Sequence, residues 1–368
     1  MYPRAASDLF NTSRDLNLLI FVSRRMLKDL KNDLEFLNLL KLNNVLFEHD
    51  FTSNPALDDL VKITERLFDK KIDVIWGIGG GSAMDVAKIA SVTLPSRRLN
   101  FSLANLLEEP NILDEVSPID CVQIPTTAGT GSEVTPFATI WDYDKQLKKS
   151  LSHIHMFSKK AVIDSRFLAE VPADIALSTG LDALNQALES LWNVNANALT
   201  RSISVRAVIS TLNGLRNLSD LSEDGAIADQ LATGSLLAGL AISQTRTALC
   251  HSISYPLTLK FNIPHGLACA FTMLEVLDFN ASCINDEIKT IECELGDKGL
   301  KTTITKLFEK YGFYSIIQKY IVSIPDVLDL LPEMVTPGRS DNNIKSFSND
   351  DLEQIVTKSC LNASIPES

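Results

Sequence analysis

The chain is poor in basic residues: 34 Lys and Arg stand against 46 Asp and Glu, a formal net charge of −12 over 368 residues. That balance excludes the broad basic surface needed to bind a phosphate backbone, and with it nucleic acid as a partner. Paired cysteines are also lacking. The six cysteines, at 121, 250, 269, 283, 293 and 360, form no C-x-x-C pair and no dense framework. A small zinc module and a disulfide scaffold are thereby excluded, and reduced thiols in a cytosol are the simplest reading. MYPRAASDLFNTSRD has no apolar stretch before a cleavage site, so no secretory leader is expected. No run reaches the ~20 apolar residues of a membrane span. The nearest, Gln230 to Thr245, is uncharged but holds two Gly, two Ser and two Thr, and reads as a buried helix.

What remains is an ordinary globular composition, 45% apolar and 22% charged. At ~100–200 residues per domain the length allows two or three domains. The first half alternates short apolar runs with amphipathic stretches: strands at 17–22, 74–79, 122–125 and 161–164, and helices at 61–70 and 83–94. This is the pattern of an open α/β sheet. From about Pro172 the texture changes to long Ala/Leu-rich segments, 174–192, 200–217, 226–243 and 266–281, which predict an all-helical second domain. The expected division is 1–168 and 169–368, with TPGRSDNN (336–343) as a long surface loop.

Two loops follow buried strands. GIGGGSAMDVAK sets three consecutive glycines and Ser82 between a strand and a helix, where backbone N–H groups and the positive helix end can approach a pyrophosphate. It matches neither G-x-G-x-x-G nor the G-K-[ST] of a P-loop, and a plain tight turn is the competing reading. IPTTAGTGSEVT (124–135) is similarly small and hydroxylated. Two such loops on one sheet suit a ligand beyond the carboxyl ends of the strands. In the second half, Asp182 and Gln186 are i and i+4 on one helix face, and two of the five histidines, His251 and His265, lie farther on. A carboxylate and two imidazoles suit Fe(II) or Zn(II). Spacing alone leaves open whether they converge or are a capping Asp and two packed histidines.

GGGSAMDVAK, IPTTAGTGSEVT, TGLDALNQALE and the H-x13-H ending in PHG, in this order and at these separations, resemble the iron-containing (group III) alcohol dehydrogenases. The resemblance runs from about residue 17 to beyond 280. It implies an α/β dinucleotide-binding domain (the dehydroquinate synthase-like fold) plus an all-α C-terminal domain, with NAD(P) and a divalent metal as cofactors. Gly80, Gly81, Ser82 and Asp85 would then lie at the pyrophosphate, Thr126 and Thr127 at the phosphate and nicotinamide side, Asn54 at the adenosine half, and Lys149 against the cofactor. Asp182, His251 and His265 would ligate the metal. The family's second ligand, a histidine four residues after the aspartate, is here Gln186, a weaker donor for iron or zinc. A family histidine linked to proton relay is here Tyr255. Strand 17–22 ends in Ser23, Arg24 and Arg25, where many NAD-preferring members carry an aspartate, and guanidinium groups there favour the 2′-phosphate of NADP.

Arg246 is the only Lys or Arg between Gln230 and Leu259. A guanidinium there needs an acidic partner or an anion. TRT-x3-HS-x-SYPLT and PGR-x2-NN (337–343) resemble the phosphonoacetaldehyde reductase branch, which makes Arg246 and Arg339 anchors for an anionic aldehyde. The expected activity is metal-dependent NAD(P)H-dependent aldehyde reduction, with His251 and Tyr255 at the chemistry. The expected partners are a small aldehyde or alcohol and a second copy of the chain as a homodimer, with no membrane, in the cytoplasm. A generic short-chain alcohol dehydrogenase, a dehydroquinate synthase-like lyase and a non-catalytic nucleotide binder are the rivals.

Overall fold

A computed structural model describes residues 5–145, 147–221 and 223–366. The chain forms two compact units, one running to Val171 and the other from Pro172 onward, with Ala128–Thr130 counted in the second.

Among the described residues the first unit carries seven strands: β1 Asn17–Val22, β2 Asn44–Glu48, β3 Val74–Gly79, β4 Asp120–Pro125, β5 Phe137–Asp142, β6 Leu147–Ser152 and β7 Lys160–Ala161. Its helices are α1 Ala5–Thr12, α2 Arg24–Leu30, α3 Leu34–Leu42, α4 Leu57–Leu67, α5 Gly81–Arg98 and α6 Leu103–Glu108. Five strands form a parallel sheet in the order β2-β1-β3-β4-β7. Its central strands read as continuous apolar runs because both faces are covered. Leu19, Phe21 and Ile75 enter a core with Ile63 of α4 and Val86 and Ile89 of α5. Their neighbours Leu18, Ile20, Trp76 and Ile78 enter the opposite core with Phe10, Leu30 and Phe36. The chain steps outward from β1 to β2 and resumes at β3 on the other side of β1, so the switch point lies beyond the carboxyl ends of β1 and β3. The strand expected at 161–164 is only the two-residue β7 at the sheet edge. The antiparallel β5–β6 hairpin was not anticipated, because β6 (LKKSLS) buries Leu151 alone.

The second unit is helical: α7 Ala173–Leu191, α8 Ala198–Arg216, α9 Gly225–Thr245, α10 Leu249–Phe261, α11 His265–Phe271, α12 Met273–Asn280, α13 Asn285–Leu295, α14 Leu300–Lys310, α15 Phe313–Ile317, α16 Ile324–Leu328 and α17 Asn349–Asn362. Among the described residues α9 alone is long and apolar enough to cross a membrane. Its small residues have another use: a Cβ on Gly234 would overlap Thr211 of α8, so glycine lets the two helices pack closely. The single helix expected over 266–281 is two, because the chain turns at Thr272 (φ −101°, ψ 1°). The expected surface loop at 336–343 is instead docked. Asn342 Nδ2 donates to Thr247 O (2.9 Å), Val194 N donates to Asn342 O (2.9 Å), and Ser252 Oγ bridges Met334 O (2.6 Å) and Thr336 N (2.9 Å).

Candidate functional site

In the first unit Ser23, Gly80 and Thr126 follow the carboxyl ends of β1, β3 and β4. Ser23 follows β1 and caps α2 through Met26 N (3.2 Å), and Arg24 pairs with Asp50 (2.8 Å) where the chain leaves β2. Gly80 is the N-cap residue of α5, an 18-residue helix with no side-chain cap and no acidic residue in its first turn. Its first N–H groups and its dipole are thus presented to an anion by backbone alone. Thr126 N donates to Gly79 O (2.9 Å), and a Cβ on Gly80 would lie 3.2 Å from Thr127 Oγ1, so the two loops meet as a cradle that a side chain would crowd. Ser82 Oγ donates to Ser53 O, beside Asn54, whose own carbonyl accepts from Thr52 Oγ1 (2.7 Å). Lys149 on β6 pairs with Asp142 (3.3 Å).

Asp85, four residues into α5, takes its partners from its own unit. Its carboxylate turns back into its own unit, accepting from Ser132 Oγ (2.5 Å) and Thr139 N (2.8 Å), and it lies 3.6 Å from Lys88 Nζ. A carboxylate so engaged braces the loop. Lys88, fully buried, completes the brace by donating to Ser132 O (2.9 Å), Thr135 O (3.2 Å) and Phe137 O (2.5 Å). Burial pushes its ammonium pKa down, and Asp85 opposes that shift.

In the second unit three helices bring side chains together. Asp182 and Gln186 sit on α7, His251 near the start of α10, and His265 at the first residue of α11. Ligand atoms of Asp182, His251, His265 and Cys269 all lie within 4.8 Å of one another, the only such group of His, Cys, Asp and Glu donors among the described residues. His251 Nε2 is 3.3 Å from Asp182 Oδ1. The rings of His251 and His265 meet edge to face at 5.5 Å, and Tyr255 stacks on His265 at 6.3 Å. The close fit depends on the PHG turn, since a Cβ on Gly266 would overlap the Ser178 carbonyl of α7.

Two contributors escaped sequence reasoning. Glu189, fully buried one turn beyond Gln186, accepts from Ala248 N (2.9 Å), His251 N (3.1 Å) and His251 Nδ1 (2.6 Å). It therefore caps α10, which has no side-chain cap of its own, and engages Nδ1, leaving Nε2 directed toward Asp182. The i, i+4, i+7 spacing of Asp182, Gln186 and Glu189 was the available signal. The other is Cys269, four residues after His265 and 3.7 Å from its Nε2.

The electrostatics are those of a buried polar cluster. Burial lowers the pKa of His251, yet the neighbouring Cys269, Glu189 and Asp182 carry it well above the ordinary imidazole range. Burial alone would raise the Asp182 carboxyl, but His251, His265 and Gln186 hold it below the usual carboxylate range. Asp182 Oδ1 and Gln186 Oε1 are both buried with no hydrogen-bond donor, which suits a site built for a cation. The donor set fits a divalent first-row metal.

Arg246 ends α9 with φ 66° and ψ 175°, a conformation natural only to glycine. It is held there by Arg246 N to Ile242 O (2.9 Å) and by Thr245 Oγ1 and Asn193 Nδ2 on its carbonyl (3.0 and 3.2 Å). Partial burial depresses its guanidinium pKa, and the charge of Arg339 on the docked loop depresses it further. Arg246, on the segment leading into His251, and Arg339, on the docked loop, are thus two neighbouring like charges.

Two family models cover the chain. "Iron-containing alcohol dehydrogenase" matches residues 3–165, and "Fe-containing alcohol dehydrogenase family, C-terminal" matches 176–359. A phosphonoacetaldehyde reductase of Streptomyces viridochromogenes is 34% identical over 248 residues, 66% of this chain and 61% of that protein. A 1-propanol dehydrogenase of Citrobacter freundii is 31% identical over 65% of this chain and 60% of that protein, and a sulfoacetaldehyde reductase of Bilophila wadsworthia is 30% identical over 61% and 57%. The alignments with these curated relatives span about three fifths of their length. Among solved structures, an iron-containing alcohol dehydrogenase of Thermotoga maritima superposes with a TM-score of 0.80 at 25% identity, covering 96% of this chain and 94% of that one.

Proposed function

Because the chain belongs to the iron-containing alcohol dehydrogenase family, we propose that it reduces a short anionic aldehyde with NAD(P)H, with phosphonoacetaldehyde to 2-hydroxyethylphosphonate as the preferred reaction. The observation that carries the anionic substrate is the strained Arg246 with Arg339 near enough to depress its pKa. Backbone strain of about 1–3 kcal/mol persists where the surrounding structure enforces it, commonly at functional sites. Two guanidinium groups match a phosphonate or sulfonate and repel nothing else about a short aldehyde.

In this reading Asp182, His251 and His265 hold the metal. A divalent ion held there would supply Lewis acidity toward the carbonyl oxygen, and bound reduced nicotinamide would supply the hydride. Glu189 keeps His251 in one tautomer and orientation. Arg246 and Arg339 grip the anionic end, so that binding energy remote from the carbonyl aligns it. Tyr255, stacked on His265, delivers the proton to the alkoxide oxygen. In the first unit the bare N-terminus of α5 and the Gly80–Thr127 cradle take the pyrophosphate, Asn54 and Lys149 lie along the dinucleotide, and Ser23 and Arg24 meet the adenosine ribose. The Arg24–Asp50 pair is exposed on both sides, and such pairs are weak in water, so Arg24 turns to a 2′-phosphate at little cost. This favours NADP over NAD.

Arg246→Gly tests the assignment, because it removes the guanidinium while relieving the backbone. The KM for phosphonoacetaldehyde should rise about tenfold or more, consistent with losing a charge-assisted contact, with the KM for propanal little changed and the thermal midpoint unchanged or raised. Equal losses on both aldehydes would make Arg246 structural. Paired saturation curves with NADPH and NADH test the nucleotide preference, and a lower KM for NADH would overturn it.

A further inference from the structure

Gln186 stands where the resemblance calls for an imidazole, and an amide oxygen is a poor donor to a thiophilic first-row metal. The same cluster holds a stronger candidate. Cys269 is fully buried and lies one turn after His265 on α11, so both side chains project from one face of that helix. Its Sγ is 3.7 Å from His265 Nε2 and 3.8 Å from Nδ1, while His251 Nε2 is 3.3 Å from Asp182 Oδ1. Tetrahedral zinc with bonds of about 2.05 Å to nitrogen or oxygen and about 2.3 Å to sulfur has donor separations of about 3.3 Å between light donors and about 3.6 Å between sulfur and nitrogen. Both contacts are close to those edges. Gln186, one turn after Asp182 on α7, shares that helix face and can steady that ligand.

We propose that Cys269 supplies the fourth protein donor of the metal centre, replacing the histidine absent at 186, and that the resulting Asp182, His251, His265 and Cys269 set selects a thiophilic ion such as Zn(II). The proposal rests on the reading that this cluster binds a divalent metal. Asp182 with Gln186 and His265 with Cys269 are each an i, i+4 pair, so the position four residues after an anchor is a donor on α11 and a brace on α7. A neutral amide becomes tolerable at 186 because the fourth donor comes from the other helix.

The test uses the full chain, stripped with a chelator and titrated with Co(II) alone, read by absorption. Wild type and Gln186→Ala should each bind one Co(II) and develop a thiolate-to-cobalt charge-transfer band in the near ultraviolet. Cys269→Ser, checked for fold by circular dichroism and replaced by Cys269→Ala if it does not fold, should lack the band and bind Co(II) about tenfold or more weakly. Co(II) bound by wild type without the band, or a band that persists in the Cys269 variants, overturns the thiolate assignment and leaves the metal reading standing. Absence of Co(II) binding by wild type overturns the metal reading and the proposal with it.

Discussion

The two units present polar groups to ligands by opposite means. At the sheet edge of the first, the groups aimed outward are backbone amides at the bare N-terminus of α5, and the charged side chains nearby, Asp85 and Lys88, point inward to brace the loop. In the helical unit, charged and imidazole side chains themselves converge, and the backbone's part is to let the helices approach at Gly266. A backbone cradle survives most side-chain changes because its donors belong to no particular residue. A side-chain cluster is only as good as the packing that aligns it. Two of the buried glutamates sharpen the contrast. Glu189 receives three hydrogen bonds, whereas Glu133 in the first unit has Oε2 with no donor, and burial pushes its carboxyl up to about 6.

The largest effect should come from Gly266→Ala. The added Cβ collides with the Ser178 carbonyl, so α11 must shift and carry His265 and Cys269 with it. Misplacement of about 1 Å costs on the order of a hundredfold in kcat/KM. Nucleotide affinity, measured by fluorescence titration, should stay within about twofold, consistent with small effects away from a site. A comparable loss of nucleotide binding would break the division of labour. Glu189→Gln should come next, lowering metal affinity by about 10–100-fold through the loosened His251, as read by competition with a chromophoric chelator. Unchanged metal affinity would reduce Glu189 to a helix cap.

The smallest effect is on stability. The Glu133 carboxyl is raised from 4.5 to about 6, so between those values the native state holds more protons than the unfolded chain. Stability from this group is present below pH 4.5 and is lost as pH rises through 6, a cost of about 2 kcal/mol at neutral pH. Glu133→Gln should therefore be more stable than wild type at pH 7.5 and show little advantage at pH 4.5 in urea unfolding. An advantage independent of pH would mean that the charge is not the cause.

What the residues announced in advance follows the same contrast. β1, β3, β4, α5 and the glycine turn are contiguous, and apolar runs punctuated by glycine carry that information locally. β6 was hidden because LKKSLS buries a single leucine, and the docking of 336–343 was hidden because Asn342 and Ser252 bond to partners more than 80 residues away. The Asp182, His251 and His265 set was suggested by resemblance, but spacing did not show that it converges. Cys269 was passed over because it belongs to no cysteine motif; only the packing of α11 on α7 gives it neighbours. The bracing contacts of Asp85 were hidden because Ser132 and Thr139 lie about 50 residues on.

The central claim is that the helical cluster holds a metal on which net aldehyde reduction depends. It is tested most directly by incubating metal-loaded protein with phosphonoacetaldehyde and NADPH while following cofactor absorbance and alcohol together. The account predicts one NADPH oxidised per alcohol formed, abolished by a chelator and restored by a divalent ion. Turnover without net loss of NADPH, or turnover indifferent to the chelator, would contradict it.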